Sequence, residues 1–248
     1  MITIHIWIFF CIFYIMVKIV RMCASIILSL VFIFVCTYMY TTDKMYVFSY
    51  ANENVIYQGN VNSKKVSLMF NVYWGEEYLD DILSVLNKYG VNTTFFIGGS
   101  WALKNSETLL NIYMAGHEIA NHGYLHRSHD KLDYDANKDE ITSTHEIVKS
   151  YIGIDMNLFA PPSGEFNDST LNVCTELGYS VIMWTRDTID WRDQDSQVIY
   201  DRAIRNVSGG DLILMHPTAM TLKALPMIIT YLQANNFLIT TVSDNISA

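Results

Sequence analysis

Residues 65–248 alternate between short apolar segments and longer amphipathic ones, and this alternation limits the fold more than any other feature of the chain. The short segments are rich in β-branched and aromatic residues, as buried strands are. They lie at 66–72, 93–97, 117–120, 158–160, 180–184, 211–215 and 237–242. The segments between them have apolar residues at helical spacing. They lie at 77–89, 104–115, 135–151, 168–177, 196–206 and 222–235. The alternation predicts one α/β domain on a parallel sheet, open or closed into a barrel.

The first forty residues differ from the rest and predict a membrane anchor. Residues 1–17 are almost wholly apolar, Lys18 and Arg21 follow, and residues 23–40 form an uncharged run long enough to cross a bilayer. The positive residues place that flank in the cytoplasm and the following domain outside. Since no small-residue cleavage site follows Tyr40, we expect residues 1–40 to be retained as a transmembrane anchor.

Two points of this N-terminal organisation stay open. The first apolar run is either a second membrane span or an upstream extension that is not part of the protein. With the second alternative, the chain would start at Met16 with a short charged region. Residues 41–64 are a polar connector with some aromatic side chains, and they form either a stalk or an extra strand.

Charge and cysteine content argue against a nucleic-acid-binding protein and against a domain stabilised by disulfides. The net charge is −9, and no basic stripe interrupts the acidic balance, which argues against a nucleic-acid partner. Cys174 is the one cysteine in residues 65–248, so this domain has no internal disulfide framework.

The unusual polar residues follow the predicted strands, where the chemistry of parallel α/β folds gathers. His122 and His126 follow the third strand, four residues apart, a spacing at which both rings can reach one metal ion. Taken alone, this short pattern is more often two surface histidines. The other strand-end residues include Asn71, the segment 161–164, Asp187, Asp190 and His216. We therefore expect all of them on one rim.

With the strand ends aligned, residues 65–248 resemble the polysaccharide deacetylase family. The segment His-Gly-Tyr-Leu-His at 122–126 resembles the family's H-[ST]-x-x-H motif, and Ala-Pro-Pro-Ser-Gly at 160–164 resembles R-P-P-[YF]-G. The segment Asp-Thr-Ile-Asp-Trp at 187–191 resembles a D-x-x-D-W motif, and Leu-Met-His at 214–216 resembles L-x-H. The Trp-Gly pair at 74–75 resembles a sporulation-associated branch of the family.

The resemblance implies a distorted (β/α)7-type barrel of parallel strands and a metal-dependent hydrolase that removes acetyl groups from acetylated polysaccharide or peptidoglycan. It implies a divalent metal, zinc, bound by His122 and His126. His216 would protonate the leaving amine, and Asp187 would orient His216. The substrate-binding residues implied by the same motifs are Trp191, Pro161, Pro162 and Leu214.

Three positions depart from the family's pattern. By the resemblance, Asn71 stands at the catalytic-base aspartate, Val72 at the metal-binding aspartate, and Ala160 at the arginine that steadies the base. An amide side chain does not accept a proton near neutral pH, and loss of a general base costs about 10² to 10⁴ in rate. Glu76 or Glu77 is a candidate replacement base, although acidic residues are also ordinary at a helix N-terminus.

Two hypotheses of function follow. The chain is a membrane-anchored deacetylase of cell-wall or spore-envelope glycan, with Asn71 in a rearranged catalytic site. Alternatively, it is a non-catalytic glycan-binding or structural envelope protein that has lost the base and the metal carboxylate. A metal-binding module without hydrolysis is a variant of the second hypothesis, and metal analysis separates the two.

Overall fold

The computed structural model describes Met16, Lys18, Met22, residues 29–34 and residues 55–247. The chain divides into two compact units, Met1–Tyr50 and Ala51–Ala248. The described residues of the first unit are helical. The described part of the chain contains no helix that is both long and apolar enough to span a bilayer. The two apolar runs predicted as an anchor lie almost entirely outside the described residues, so the anchor stays a prediction.

The second unit is built on one curled sheet whose strands are all parallel, in the order β1-β6-β5-β4-β3-β2-β8-β7, with β9 also paired to β2. The strands are β1 (Val55–Ile56), β2 (Lys65–Val72), β3 (Thr94–Ile97), β4 (Glu118–Asn121), β5 (Leu158–Phe159), β6 (Ser180–Ile182), β7 (Arg186–Asp187), β8 (Leu212–Met215) and β9 (Leu238–Ile239). Because the described strands β1 and β7 are not paired with each other, the sheet is an open barrel. The predicted parallel α/β class is confirmed.

Helices connect these strands. They are α1 (Leu79–Tyr89), α2 (Gly99–Lys104), α3 (Ser106–Met114), α4 (Tyr134–Ile152), α5 (Asp168–Leu177), α6 (Ser196–Ile204), α7 (Ala219–Ala234) and α8 (Val242–Ile246). Short 3₁₀ turns lie at Glu76–Tyr78, His129–Lys131 and Pro162–Gly164. Glycines in the left-handed conformation, such as Gly90 and Gly178, end α1 and α5, as the sequence predicts.

Two predicted elements differ from the structure. The helix predicted at 104–115 begins earlier, at Gly99, and is divided at Asn105, whose φ of −128° and ψ of 41° lie outside the helical region. The strand predicted at 237–242 is a two-residue strand followed by α8, because the Thr241 side chain accepts a hydrogen bond from the Asp244 amide and starts a helix there.

The connector joins the fold from Val55 onward. Val55 and Ile56 pair with Val181 and Ile182 at the edge of the sheet. The Gly59 amide donates to the Gly210 carbonyl at 2.7 Å. Of the two interpretations left open for residues 41–64, the extra strand applies to these residues, and the compact unit starts well before residue 65.

Alternation along β2 sorts its side chains between two apolar clusters. Leu68, Phe70 and Val72 are fully buried in the large cluster that the sheet forms with the helices. Met69 belongs to the second cluster, inside the curled sheet. Asn71 shares the orientation of Met69, since successive strand residues face opposite sides, and so it points to the barrel interior at the carboxyl end of β2.

Candidate functional site

A cavity of about 470 Å³ opens at the carboxyl ends of the strands, within the usual size range of ligand sites. Its lining residues come from distant parts of the chain: Asn71, Trp74, His122, His126, Ser163, Trp184, Asp187, Trp191, Leu214 and His216. Seven of the nine predicted site residues are among them. The predicted rim is therefore a real cavity.

The turn after β4 carries the two predicted metal ligands. The His122 and His126 rings lie 5.1 Å apart between centroids. Gly123, at φ 73°, allows the chain to turn, and a Cβ at this position would lie 3.1 Å from His129 Nε2. His122 Nδ1 lies 2.8 Å from the Ala160 carbonyl, so it must donate there, and Nε2 of the neutral ring keeps its lone pair. His122 is therefore held in the tautomer that a ligand or base requires.

A buried carboxylate supports this turn from α4. Glu140 Oε2 accepts hydrogen bonds from the amides of Tyr124 and Leu125, both at 2.8 Å. Arg127 Nη1 lies 3.9 Å from Glu140 Oε1. The conformation of the turn between the two histidines thus depends on one side chain from another element, which the sequence analysis did not identify.

Both histidines of the turn favour the neutral state. Burial lowers the pKa of His122 well below its ordinary value, and the neighbouring His126 lowers it further. Burial also lowers the pKa of His126. A neutral imidazole is the form that can accept a proton or bind a cation.

His216 is paired with Asp190. Its Nδ1 donates to Asp190 Oδ1 at 2.8 Å, and its backbone amide donates to Asp190 Oδ2 at 2.6 Å. Thr221 Oγ1 donates to the same Oδ2. The pair leaves His216 Nε2 facing the cavity, where it can exchange a proton while the buried carboxylate stabilises the imidazolium.

The predicted partner of His216, Asp187, has a different position. It pairs in register with Leu214 at the end of β7 and lines the cavity, and its Oδ1 accepts from the Ile189 amide at 2.8 Å. Ile189 then takes a positive φ of 53°, and the chain turns so that Asp190 is the residue that reaches His216. The orienting role therefore belongs to Asp190.

At the end of β2, the two departing positions Asn71 and Val72 point to opposite sides of the sheet. Asn71 is 4 % exposed, lines the cavity, and its Oδ1 has no hydrogen-bond partner among the described residues. Val72, by contrast, points into the core with the helices and not toward the histidines. The side chain that stands beside the pair is Tyr73, whose ring lies 4.9 Å from that of His126. Tyr73 and not Val72 lies beside His126, because successive residues of β2 face opposite sides of the sheet and the chain turns after this strand.

The other predicted residues divide between the cavity and its surroundings. Trp191 and Leu214 line it. Pro161 and Pro162 are buried next to it and are not lining residues, whereas the following Ser163 is. Glu76 and Glu77, the candidate replacement bases, are exposed on the 3₁₀ turn and do not line the cavity.

Sequence reasoning missed two aromatic walls of the cavity, Trp74 and Trp184. Trp74 follows Asn71 by three residues at the same strand end, which is a signal that could have placed it on the rim. Trp184 was assigned to a strand that ends two residues earlier, at Ile182.

The residues present do not fit a complete zinc site. Zinc in catalytic sites generally has three protein ligands. In the part of the chain that the structure describes, no group of three or more histidine, cysteine, aspartate or glutamate side chains is arranged to hold a metal ion. His122 and His126 supply two nitrogens, and the third position is not provided by Val72.

The fold and cavity define the class of protein: an open α/β barrel whose cavity at the carboxyl ends of the strands is lined by three histidines and three tryptophans. The family model for polysaccharide deacetylase matches residues 58–182. The chain belongs to the polysaccharide deacetylase family.

Two relatives match about three quarters of this chain. Protein YlxY of Bacillus subtilis, which is uncharacterised, is 36 % identical over 189 residues, covering 76 % of this chain and 59 % of YlxY. The peptidoglycan-N-acetylmuramic acid deacetylase PdaA of Bacillus subtilis is 28 % identical, covering 77 % of this chain and 74 % of PdaA. This chain thus spans a little over half the length of the first of these relatives.

The crystal structure of BA3943 from Bacillus anthracis, described as a CE4 family pseudoenzyme, has a TM-score of 0.76 to this chain and 35 % identity. It covers 78 % of this chain, which in turn covers 69 % of BA3943. A mutant of BA3943 with restored enzymatic activity has the same TM-score and 34 % identity.

Proposed function

We propose that this protein binds N-acetylated cell-wall or spore-envelope glycan in the rim cavity and that it hydrolyses the acetyl group slowly or not at all. The observation that carries the proposal is Asn71: the position of the catalytic base holds an amide whose buried oxygen has no described partner. The carboxylate among the described lining residues, Asp187, already accepts a backbone hydrogen bond.

The substrate class is inferred from relatives and from the cavity. PdaA and a 31 % identical Bacillus cereus protein are named as peptidoglycan deacetylases. Three tryptophans line the cavity, and aromatic faces pack on the C–H faces of pyranose rings while the polar rim can bind hydroxyls. These features support recognition of an amino-sugar polymer, and they do not require turnover.

Residual deacetylation is the second candidate, and the His216–Asp190 pair favours it. This pair can still protonate a leaving amine through His216 Nε2. What the cavity lacks is a free carboxylate at Asn71 to take a proton from the attacking water. A bound metal ion would polarise the acetyl carbonyl, and among the described residues His122 and His126 are the nitrogens that could hold it.

The location is part of the proposal. Residues 1–40 anchor the chain in a membrane, and the barrel faces the extracytoplasmic side, where peptidoglycan lies. The apolar runs on both sides of Lys18 and Arg21 support this arrangement.

The test measures binding and hydrolysis in one sample. The full-length chain is titrated with chitotetraose and with N-acetylated peptidoglycan fragments, and acetate release is followed with added zinc or cobalt. We expect saturable binding, and for Trp191→Ala binding weaker by about tenfold. Absence of any binding by folded protein would refute the proposal, and metal-dependent acetate release that His216→Ala abolishes would establish the second candidate.

A further inference from the structure

Trp74 lies outside the four motifs at 122–126, 160–164, 187–191 and 214–216, and it stands at the cavity mouth with 41 % of its surface exposed. Such exposure is unusual for the largest aromatic side chain. Its indole lies parallel to the His216 imidazole, with 5.8 Å between ring centroids and an interplanar angle of 5°. One face of the indole is therefore covered, and the exposed surface belongs to the other face and the ring edge.

Two contacts restrict where the Trp74 side chain can lie. His216 cannot swing away, because Asp190 accepts from both its Nδ1 and its backbone amide. Gly75 has a φ of 82°, and a Cβ there would lie 2.1 Å from the Pro217 carbonyl oxygen, so only glycine allows this close approach. A rigid, already ordered side chain loses little entropy when a ligand packs on it.

From this geometry we propose that Trp74 is a stacking platform for a pyranose ring and that the Asp190–His216 pair serves as its aromatic support. The inference rests on the proposed glycan-binding function and names the residue that dominates it. The chemistry around the platform fits a sugar: the cavity offers Asn71, Ser163 and Asp187 to hydroxyl and acetamido groups beside an apolar ring.

The same arrangement bears on His216. An imidazole that supports an indole needs a flat ring and a fixed orientation, and the hydrogen bond from Nδ1 to Asp190 holds that orientation. His216 is in this role a positioning residue for Trp74.

The experiment compares variants of the full-length chain in calorimetric titrations with chitotetraose. We expect Trp74→Ala to weaken binding about tenfold and Trp74→Phe to stay within about threefold of the wild type. We expect His216→Asn, whose amide can still donate to Asp190 but has no ring to lie against the indole, and His216→Ala to bind more weakly than the wild type. The control is Tyr113→Ala, because Tyr113 on α3 is 36 % exposed but is not a lining residue.

A second measurement separates a stacking role from a folding defect. Chitotetraose should shift the tryptophan fluorescence of the wild type to shorter wavelength, and that shift should be reduced in Trp74→Phe although this variant is folded by circular dichroism. If the wild type binds while Trp74→Ala binds equally well and Trp191→Ala does not, this inference is wrong and the proposed function stands. If the wild type binds no glycan, the proposed function itself is refuted.

Discussion

At the residue scale, position 71 decides whether the cavity has a general base. An aspartate there could accept a proton, whereas the amide of Asn71 cannot. The Asn71 side chain lines the cavity, is buried, and offers an oxygen without a described partner. Asparagine and aspartate have nearly the same shape, so an aspartate would enter this space without rearrangement. Its difference from asparagine is chemical: it can accept a proton.

Asn71→Asp should therefore raise acetate release from N-acetylated peptidoglycan by about 10² or more, the usual lower contribution of a general base. The restored activity of a BA3943 mutant is a precedent in a similar protein. The assay measures acetate with added zinc or cobalt, and Asn71→Asp combined with His216→Ala is the control. Equal release by Asn71→Asp and wild type would show that the missing metal ligand, and not the base, limits the reaction.

His117 gives a second residue-scale prediction, in the scaffold. Its Nδ1 accepts from the Thr93 amide, and burial lowers the pKa of His117 from 6.5 to about 4. Between these values the unfolded chain binds more protons, so the free energy of unfolding falls as pH falls from 6.5 toward 4. His117→Gln should reduce the slope of the free energy of unfolding against pH by up to about 1.4 kcal/mol per pH unit.

Urea unfolding at several pH values between 5 and 8 measures this slope. Above pH 7 the His117→Gln and wild-type curves should run parallel, since the imidazole is neutral in both states there. Identical slopes below pH 6.5 would contradict the assignment.

At the element scale, the turn between β4 and α4 is the unit on which the histidine pair depends. Asn121 Oδ1 accepts from the Gly123 amide, and Glu140 Oε2 accepts from the next two amides. A turn with three consecutive amides satisfied by side chains keeps its shape without regular secondary structure. The distance between the His122 and His126 rings follows from that shape.

Glu140→Ala should lower the free energy of unfolding by about 2 kcal/mol, because two partly buried amides lose their acceptor. Glu140→Gln should cost less, about 1 kcal/mol, because its carbonyl oxygen can still accept from both. Urea unfolding is the measurement. Glu146→Ala, an exposed position on the same helix, is the control and should change stability by less than about 0.5 kcal/mol. Equal losses for Glu140→Ala and Glu146→Ala would rule out this role.

At the scale of the whole molecule, the segment before β2 completes the barrel edge. Val55 and Ile56 extend the sheet at β6, and the backbone of residues 59–63 lies so close to Gly209 and Gly210 that Cβ atoms there would meet it at 1.9 and 2.6 Å. Contacts of this kind couple the connector to the β8 side of the sheet.

A chain beginning at residue 65 should therefore melt about 10 °C below one beginning at residue 51, which corresponds to a loss of a few kcal/mol in a domain of this size. Thermal unfolding followed by circular dichroism compares the two. Equal melting temperatures would mean that the first strand adds nothing and that the domain starts at β2.

Local chemistry made much of this molecule predictable. The short apolar segments and the helical spacing between them predict the parallel sheet and the order of its elements, because side-chain type and periodicity act over a few residues. The α5 helix matches its predicted range of 168–177. Asn71, His122, His126, Asp187 and His216 reach one cavity because parallel strands end at the same rim.

By itself the sequence determined the fold class, the family and the absence of a base at position 71. Only the tertiary structure decided which side chains contact the motif residues. Asp190 reaches His216 because the chain turns at Ile189, Tyr73 stands beside His126 because Val72 faces the core, and Trp74 lies on His216. These pairings join residues 26 to 142 positions apart or depend on a turn after a strand, where no local periodicity acts and only the packing of distant elements fixes the geometry.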